Sequence, residues 1–165
     1  MTTRILTKEE EGDLFELIEK IEQGISNKEW WLPIKEKERS IFFDKDKNLI
    51  MGLFDQDRLI GATMLTIDKD VFEEILAYWK GEKLNNVAKI GRCMISEEYR
   101  GRGYARVLNE AVMKEARKRN FKHVIAIAHP DNVVSGRALA RIGMKVNTTF
   151  RNKDGYLRNL YFMQM

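Results

Sequence analysis

The residues whose types and spacing could do chemistry fall in one short run, Arg100-Gly101-Arg102-Gly103-Tyr104-Ala105, between an apolar segment ending near Ser96 and an amphipathic one beginning at Gly103. The start of a helix presents backbone N–H groups without partners and a partial positive charge, so it attracts phosphate. Glycines let the main chain approach such a ligand closely, and arginines add charge-assisted bonds to its oxygens. Two nucleotide patterns fail here. A P-loop needs Gly-Lys-Ser/Thr where the chain has Gly103-Tyr104-Ala105. A dinucleotide fingerprint needs a small residue where Arg106 stands. A plain turn with solvated arginines has the same local sequence, so the meaning of the loop rests on what positions it.

Around the loop, the spacing predicts a strand over Val87 to Ser96 and a helix over Gly103 to Arg119, with Tyr104, Leu108, Ala111, Val112 and Ala116 on its apolar side. Val124 to Ala128 is apolar on both faces, as in a central strand covered by helices. A strand, a helix and a second buried strand imply a right-handed crossover and a parallel pair. A helix over Asn132 to Ile142 follows, then a hairpin of Met144 to Phe150 and Tyr156 to Met163 around Asp154-Gly155. Upstream, Thr7 and Glu10 make a capping box before Leu14, Leu17, Ile18, Ile21 and Ile25 at helical spacing. Residues 26 to 47 read as a loop with a short helix near Glu36 to Phe43. Asn48 to Phe54 and Arg58 to Ile67 are predicted as paired strands, and Val71 to Lys80 as a helix closed by Gly81. The sum is one α/β domain over residues 1–165 with a mixed sheet.

Arg100, Gly103 and Ala105 match the Arg/Gln-x-x-Gly-x-Gly/Ala loop of a known family, and the match continues on both sides. With Ile90 to Ile95 upstream, and His129-Pro130-Asp131-Asn132, Ser135, Arg137, Leu139, Gly143 and Met144 downstream, the chain resembles the GNAT superfamily of acetyltransferases. Met144 stands where that family usually has Phe. The resemblance implies a mostly antiparallel central sheet with one parallel βαβ pair, flanked by helices. It implies transfer of acetyl from acetyl-CoA to a primary amine on a small molecule, a peptide N-terminus or a lysine. Acetyl-CoA would lie between the strand ending near Ile95 and the strand ending near Ala128. Gly101, Arg102, Gly103, Tyr104 and Ala105, with Arg100, would hold the pyrophosphate. Backbone groups of Met94 and Ile95 would pair with pantetheine, and an amide near Cys93 or Met94 would polarise the thioester carbonyl. Asn132 and Ser135 match positions that touch the cofactor, although Asn132 is equally a good N-cap.

The chain departs from the family at the proton-handling positions. Leu139 stands where many relatives carry a Tyr acid, as in the branch of ribosomal-protein N-terminal acetyltransferases. Lys89 stands where histone-type relatives carry Glu. His129 and Tyr156 are the residual candidates for catalysis, and Cys93 is assigned to core packing. Glu29, Glu36, Glu38 and Asp44, with Trp30 and Trp31, form either a surface that draws a cationic amine or a solvated face over core aromatics.

Composition narrows the classes further. Hydrophobic residues make up 44% and charged residues 33%, which fits a folded domain and not a disordered one. No apolar run is long enough for a membrane span, and Glu9-Glu10-Glu11 is no secretory signal, so the expected location is cytoplasmic. A single cysteine and two histidines argue against a disulfide framework and a metal site. The net charge of +4 and pI near 9.1 leave open a nucleic-acid binder, but no basic face interleaved with aromatics supports it. The competing reading within the fold is a non-catalytic acyl-CoA-binding module, expected like the enzyme to be a monomer or homodimer.

Overall fold

The computed structural model describes all residues from Met1 to Met165. A seven-stranded sheet runs β1 (Thr2–Ile5), β2 (Asn48–Asp55), β3 (Arg58–Thr66), β4 (Val87–Ile95), β5 (His123–Ala128), β7 (Leu157–Gln164), β6 (Lys145–Arg151) in spatial order. Every neighbouring pair is antiparallel except β4 and β5. That parallel pair is joined by α4 (Tyr104–Lys118), as the buried run after an amphipathic helix predicted.

The helices divide between two faces. Alternation along the strands sends Ala88, Ile90, Val124, Ala126 and Ala128 toward α4 and α5 (Val133–Arg141), together with Leu108, Val112 and Leu139. The opposite face takes α1 (Glu11–Gly24), α2 (Glu36–Arg39) and α3 (Lys69–Leu76). There Leu14, Leu17, Ile18 and Ile21 pack on Ile50, Ala62 and Met64, and Phe72 packs on Val87, Ile125 and Leu160. The Thr7–Glu10 box is present, the Glu10 carboxylate accepting from the Thr7 amide at 2.6 Å, but it opens a 3-10 turn that leads into α1.

The predicted helix over Val71 to Lys80 needs correction. It starts earlier, capped by the Asp68 side chain, which accepts from the Asp70 amide, and it ends at Leu76 well before Gly81. Tyr78 and Trp79 leave the helix, Tyr78 to stack on Phe150 and Trp79 to pack at a tilt on Phe162, with ring centroids 4.3 and 4.5 Å apart. Aromatic burial against a distant hairpin outweighs helical continuation.

β4 carries a bulge that no local pattern announced. Met64 pairs with Gly91 and Ala62 with Met94, so Arg92 and Cys93 together face Thr63. Arg92 sits at φ 56° in the bulge, and the Thr63 hydroxyl donates to the Gly91 carbonyl at 3.1 Å. The extra residue reverses the faces: Ile90 packs with α4, while Met94 packs with α1. It also coincides with the end of pairing to β5, which stops at Lys89↔Ile125.

Candidate functional site

Beyond Lys89 and Ile125 the two central strands part, and a cleft of about 910 Å³ opens between them. Its floor is Lys89 to Ile95 on one side and Ala126 to Ala128 on the other. One mouth is built by the loop before α4 and by α5, the other by the segment around Trp30-Trp31, α3 and the β6–β7 hairpin. Since those elements cover opposite faces of the sheet, the cleft passes through it.

At the first mouth the loop turns with Gly101 at φ 76° and Gly103 at φ 81°, both in the left-handed region that glycine tolerates. A Cβ at either would meet no heavy atom within 4 Å, so the space over both is open. Gly103 is the N-cap of α4, and no side chain caps that end. Its first amides are therefore left for a ligand or solvent. Arg100 folds back so that Nε donates to the Ile95 carbonyl at 3.1 Å. Gly101, Gly103, Tyr104 and Ala105 line the cleft, whereas Arg102 does not; its guanidinium lies over the Tyr99 ring, 5.6 Å from the centroid.

Asn132 and Ser135 both border this mouth and are bound to each other, Asn132 Oδ1 accepting from the Ser135 amide at 3.2 Å as the N-cap of α5. Along the floor, the Ser96 amide donates to Ile60 on β3. By the alternation of a strand beyond the bulge, the Met94 amide also points to β3, and the Ile95 amide points into the gap. Asn109 is a cleft residue that the sequence reading missed. It interrupts the apolar side of α4, is 1% exposed, and its Oδ1 has no hydrogen-bond partner. A polar residue at a core-facing helical position was the available signal.

The second mouth differs from expectation. Of the four acidic residues considered there, Glu29, Glu36 and Asp44 do not line the cleft. Glu38 does, but a two-pronged pair with Arg92 occupies it, Nε to Oε1 and Nη2 to Oε2 both at 2.9 Å. Burial alone would raise the Glu38 carboxyl; the hydrogen bonds and charge of Arg92, with Lys89 nearby, outweigh it and hold the group below its ordinary range. The Glu29 carboxylate turns to His129 Nε2 at 3.6 Å and Arg151 at 3.9 Å. Two other acids do line the wall: Asp154, paired with Lys35 at 2.9 Å, and Glu74, which accepts from the Lys153 amide at 2.8 Å.

His129 and Tyr156 are not brought together. His129 is 5% exposed, its Nδ1 accepts from the Asp131 amide at 3.0 Å, and it does not line the cleft. Tyr156 does line it, with the Arg158 guanidinium 5.6 Å from its ring. Cys93 also departs from expectation: it is exposed to the cleft and takes no part in the hydrophobic clusters. It lies deep enough for desolvation to push its thiol up to about 12, although Thr63 acts the other way. It stays a thiol and offers no nucleophile near neutral pH.

Lys89 lies on the second-mouth face, its Nζ 2.7 Å from where a Cβ on Gly91 would stand. Desolvation, helped by the charge of Arg92 and opposed by Glu38, lowers it to about 8 from an ordinary 10.5. The unfolded chain then binds more protons than the native one between those values, so stability should rise with pH across that window. Below about 8 the full penalty is present. Lys89→Met is expected to stabilise the protein at pH 7 by on the order of 1–3 kcal/mol, with the gain vanishing above pH 10.5. Urea unfolding of both proteins at pH 7 and above 10.5 checks this, and equal differences at the two pH values would contradict it.

No group of three or more His, Cys, Asp or Glu side chains is gathered as a metal site, and no helix is long and apolar enough to cross a membrane. Residues 12–144 match the acetyltransferase (GNAT) family model, and the chain belongs to that family. No curated protein matches it by sequence. The ribosomal-protein-S18-alanine N-acetyltransferase from Escherichia coli is similar at a TM-score of 0.71 and 15% identity, covering 99% of this chain and 92% of that one. NAA60 of Arabidopsis thaliana, solved with a bisubstrate analogue, gives 0.73 and 16%, with 99% and 97% covered. yncA of Salmonella typhimurium, solved with its cofactor acetyl-CoA, gives 0.73 and 14%, with 99% and 93% covered. At such identities the likeness to these structures is one of fold.

Proposed function

We propose that residues 1–165 form one cytoplasmic N-acetyltransferase domain that moves the acetyl group of acetyl-CoA directly to a primary amine, without a metal. The observation that carries this reading is the cleft through the sheet, with an open glycine turn and the uncapped start of α4 at one mouth and a second mouth on the opposite face. The residues present fit acetyl-CoA on two counts. The Gly101–Gly103 turn leaves open the space that a pyrophosphate needs, and the unpartnered Asn109 Oδ1 suits an amide N–H of pantetheine.

In this reading the amides of Gly101 to Ala105 and the side chain of Arg100 hold the pyrophosphate. The Ile95 amide faces the pantetheine arm, with Asn132 and Ser135 at its flank. The bound thioester supplies an activated acyl group. The amine nitrogen bonds to the acetyl carbon, the C–S bond breaks, and a proton ends on the departing sulfur. Two proton sources stand in the cleft, solvent and the Tyr156 hydroxyl. A thiolate is a tolerable leaving group near neutral pH, so solvent suffices chemically.

The second reading, a non-catalytic acyl-CoA-binding module, draws on Leu139 and Lys89, neither of which can replace the family's Tyr or Glu. Calorimetry is expected to give micromolar binding of acetyl-CoA, roughly 7–9 kcal/mol. Thiol release should depend on an added amine. Binding without amine-dependent release would leave the sensor reading standing, and no binding at millimolar acetyl-CoA would overturn both.

A further inference from the structure

The pocket at the second mouth is more basic than its sequence suggested. Alternation along β7 puts Arg158 on the face of Leu160 and Phe162, opposite Phe150 of β6. It is 2% exposed and borders the cleft. Its Nη1 donates to the Leu157 carbonyl at 2.6 Å and its Nη2 to the Glu29 carbonyl at 2.7 Å. Both partners are neutral carbonyls; the Glu29 carboxylate itself points to His129 and Arg151. No carboxylate bonds to this guanidinium; burial disfavours its charge, the Glu29 carboxylate offsets that only in part and Arg92 adds to it, so a ligand that brings an anion would complete the site. Arg92, by contrast, has its carboxylate in Glu38.

A second feature lies in the wall of the same cleft. Trp31 Nε1 is buried in the cleft wall and donates to nothing, while Arg92 lies over the Trp31 ring, 4.8 Å from its centroid. A donor without an acceptor and a buried guanidinium bound only to carbonyls, both in the wall of one cleft, are what an anionic oxygen ligand would complete. A guanidinium fork matches the two oxygens of a carboxylate in one plane.

We infer that the acceptor is a small amine that also carries a carboxylate, an amino acid in the broad sense, and that Arg158 with Trp31 Nε1–H receives that carboxylate. This rests on the acetyl-transfer reading and narrows its substrate. A peptide N-terminus has no carboxylate near its amine unless a side chain provides one, so it is the acceptor that this pocket disfavours.

The test uses acetyl-CoA at saturation and a panel of α- and ω-amino acids, each paired with its primary amide, with thiol release as the readout. The acid of the preferred pair is expected to have a KM about 10- to 100-fold below that of its amide. Arg158→Met should bring that ratio near one, and Arg158→Lys, which keeps the charge without the fork, should leave it intermediate. Amides used as well as acids, or a ratio unchanged in both variants, would overturn the inference; so would 2-aminoethyl phosphate outperforming every acid. Butyrate, which has the carboxylate and no amine, tests the pocket without turnover. It should raise the melting temperature of the wild-type protein and not that of Arg158→Met, and no rise in the wild type counts against the inference. Amine-dependent release with no preference for acids sinks this inference alone, while release with no amine at all sinks the transferase reading.

Discussion

Gly103→Val should weaken acetyl-CoA binding by at least about 100-fold, near 2.7 kcal/mol, while the protein still folds. Gly103 holds φ at 81°, and its missing Cβ would stand in open space. The folded protein without ligand therefore loses only what left-handed backbone costs a side chain, about 1–2 kcal/mol, somewhat more for a branched one. That is a modest part of an ordinary domain's stability. The ligand meets a harsher change. Two methyl groups enter the volume between the loop and the start of α4, where phosphate oxygens must approach the amides. Gly155→Val is the control, since Gly155 has φ 88°, open space at its Cβ and no place in the cleft wall. It should lose similar stability and keep its affinity. Calorimetry and thermal melts of both variants settle the matter, and a folded Gly103→Val protein with normal affinity would remove the phosphate cradle.

Leu139→Ala should cost about 2–5 kcal/mol of stability and nothing in kcat per folded molecule. Leu139 is 7% exposed, lines the cleft at the first mouth and packs in the cluster of Leu108, Val112, Met144 and Tyr161. An alkyl side chain cannot deliver a proton, so its truncation opens space in the core and the cleft wall and removes no proton donor. A collapse of kcat in well-folded Leu139→Ala would contradict the account. Two further variants measured across pH complete the test. His129→Ala should lose stability and not turnover, because His129 braces the turn before α5 from outside the cleft. Tyr156→Phe decides between the two proton sources. A loss of roughly 100-fold or more, with acetyl-CoA affinity kept, would assign the step to its hydroxyl; a near-normal rate assigns it to solvent.

What could be read from the chain alone was what short-range order encodes. The period of Leu108, Val112 and Ala116 specified α4, and the run from Val124 to Ala128 specified a central strand. Together they dictated the crossover and thus the parallel pair. The Arg100 to Ala105 loop was visible because helix start, glycine and arginine are neighbours in sequence. The limits of α3 were less legible, since Tyr78 and Trp79 answer to Phe150 and Phe162 on a hairpin far along the chain.

The second mouth was decided by tertiary structure. Glu38 reads as a free acid until folding sets it against Arg92, 54 residues away. Arg158 reads as a polar residue in a terminal strand until the Glu29 segment closes over it, 129 residues away. Cys93 reads as core until the bulge at Arg92 reverses the faces of β4 and leaves the thiol in the cleft. Periodicity reports which side of its own element a residue takes. Whether that side meets water, an opposite charge or an empty pocket is set by chain arriving from elsewhere, and the balance of charge in a cleft is a sum over such arrivals.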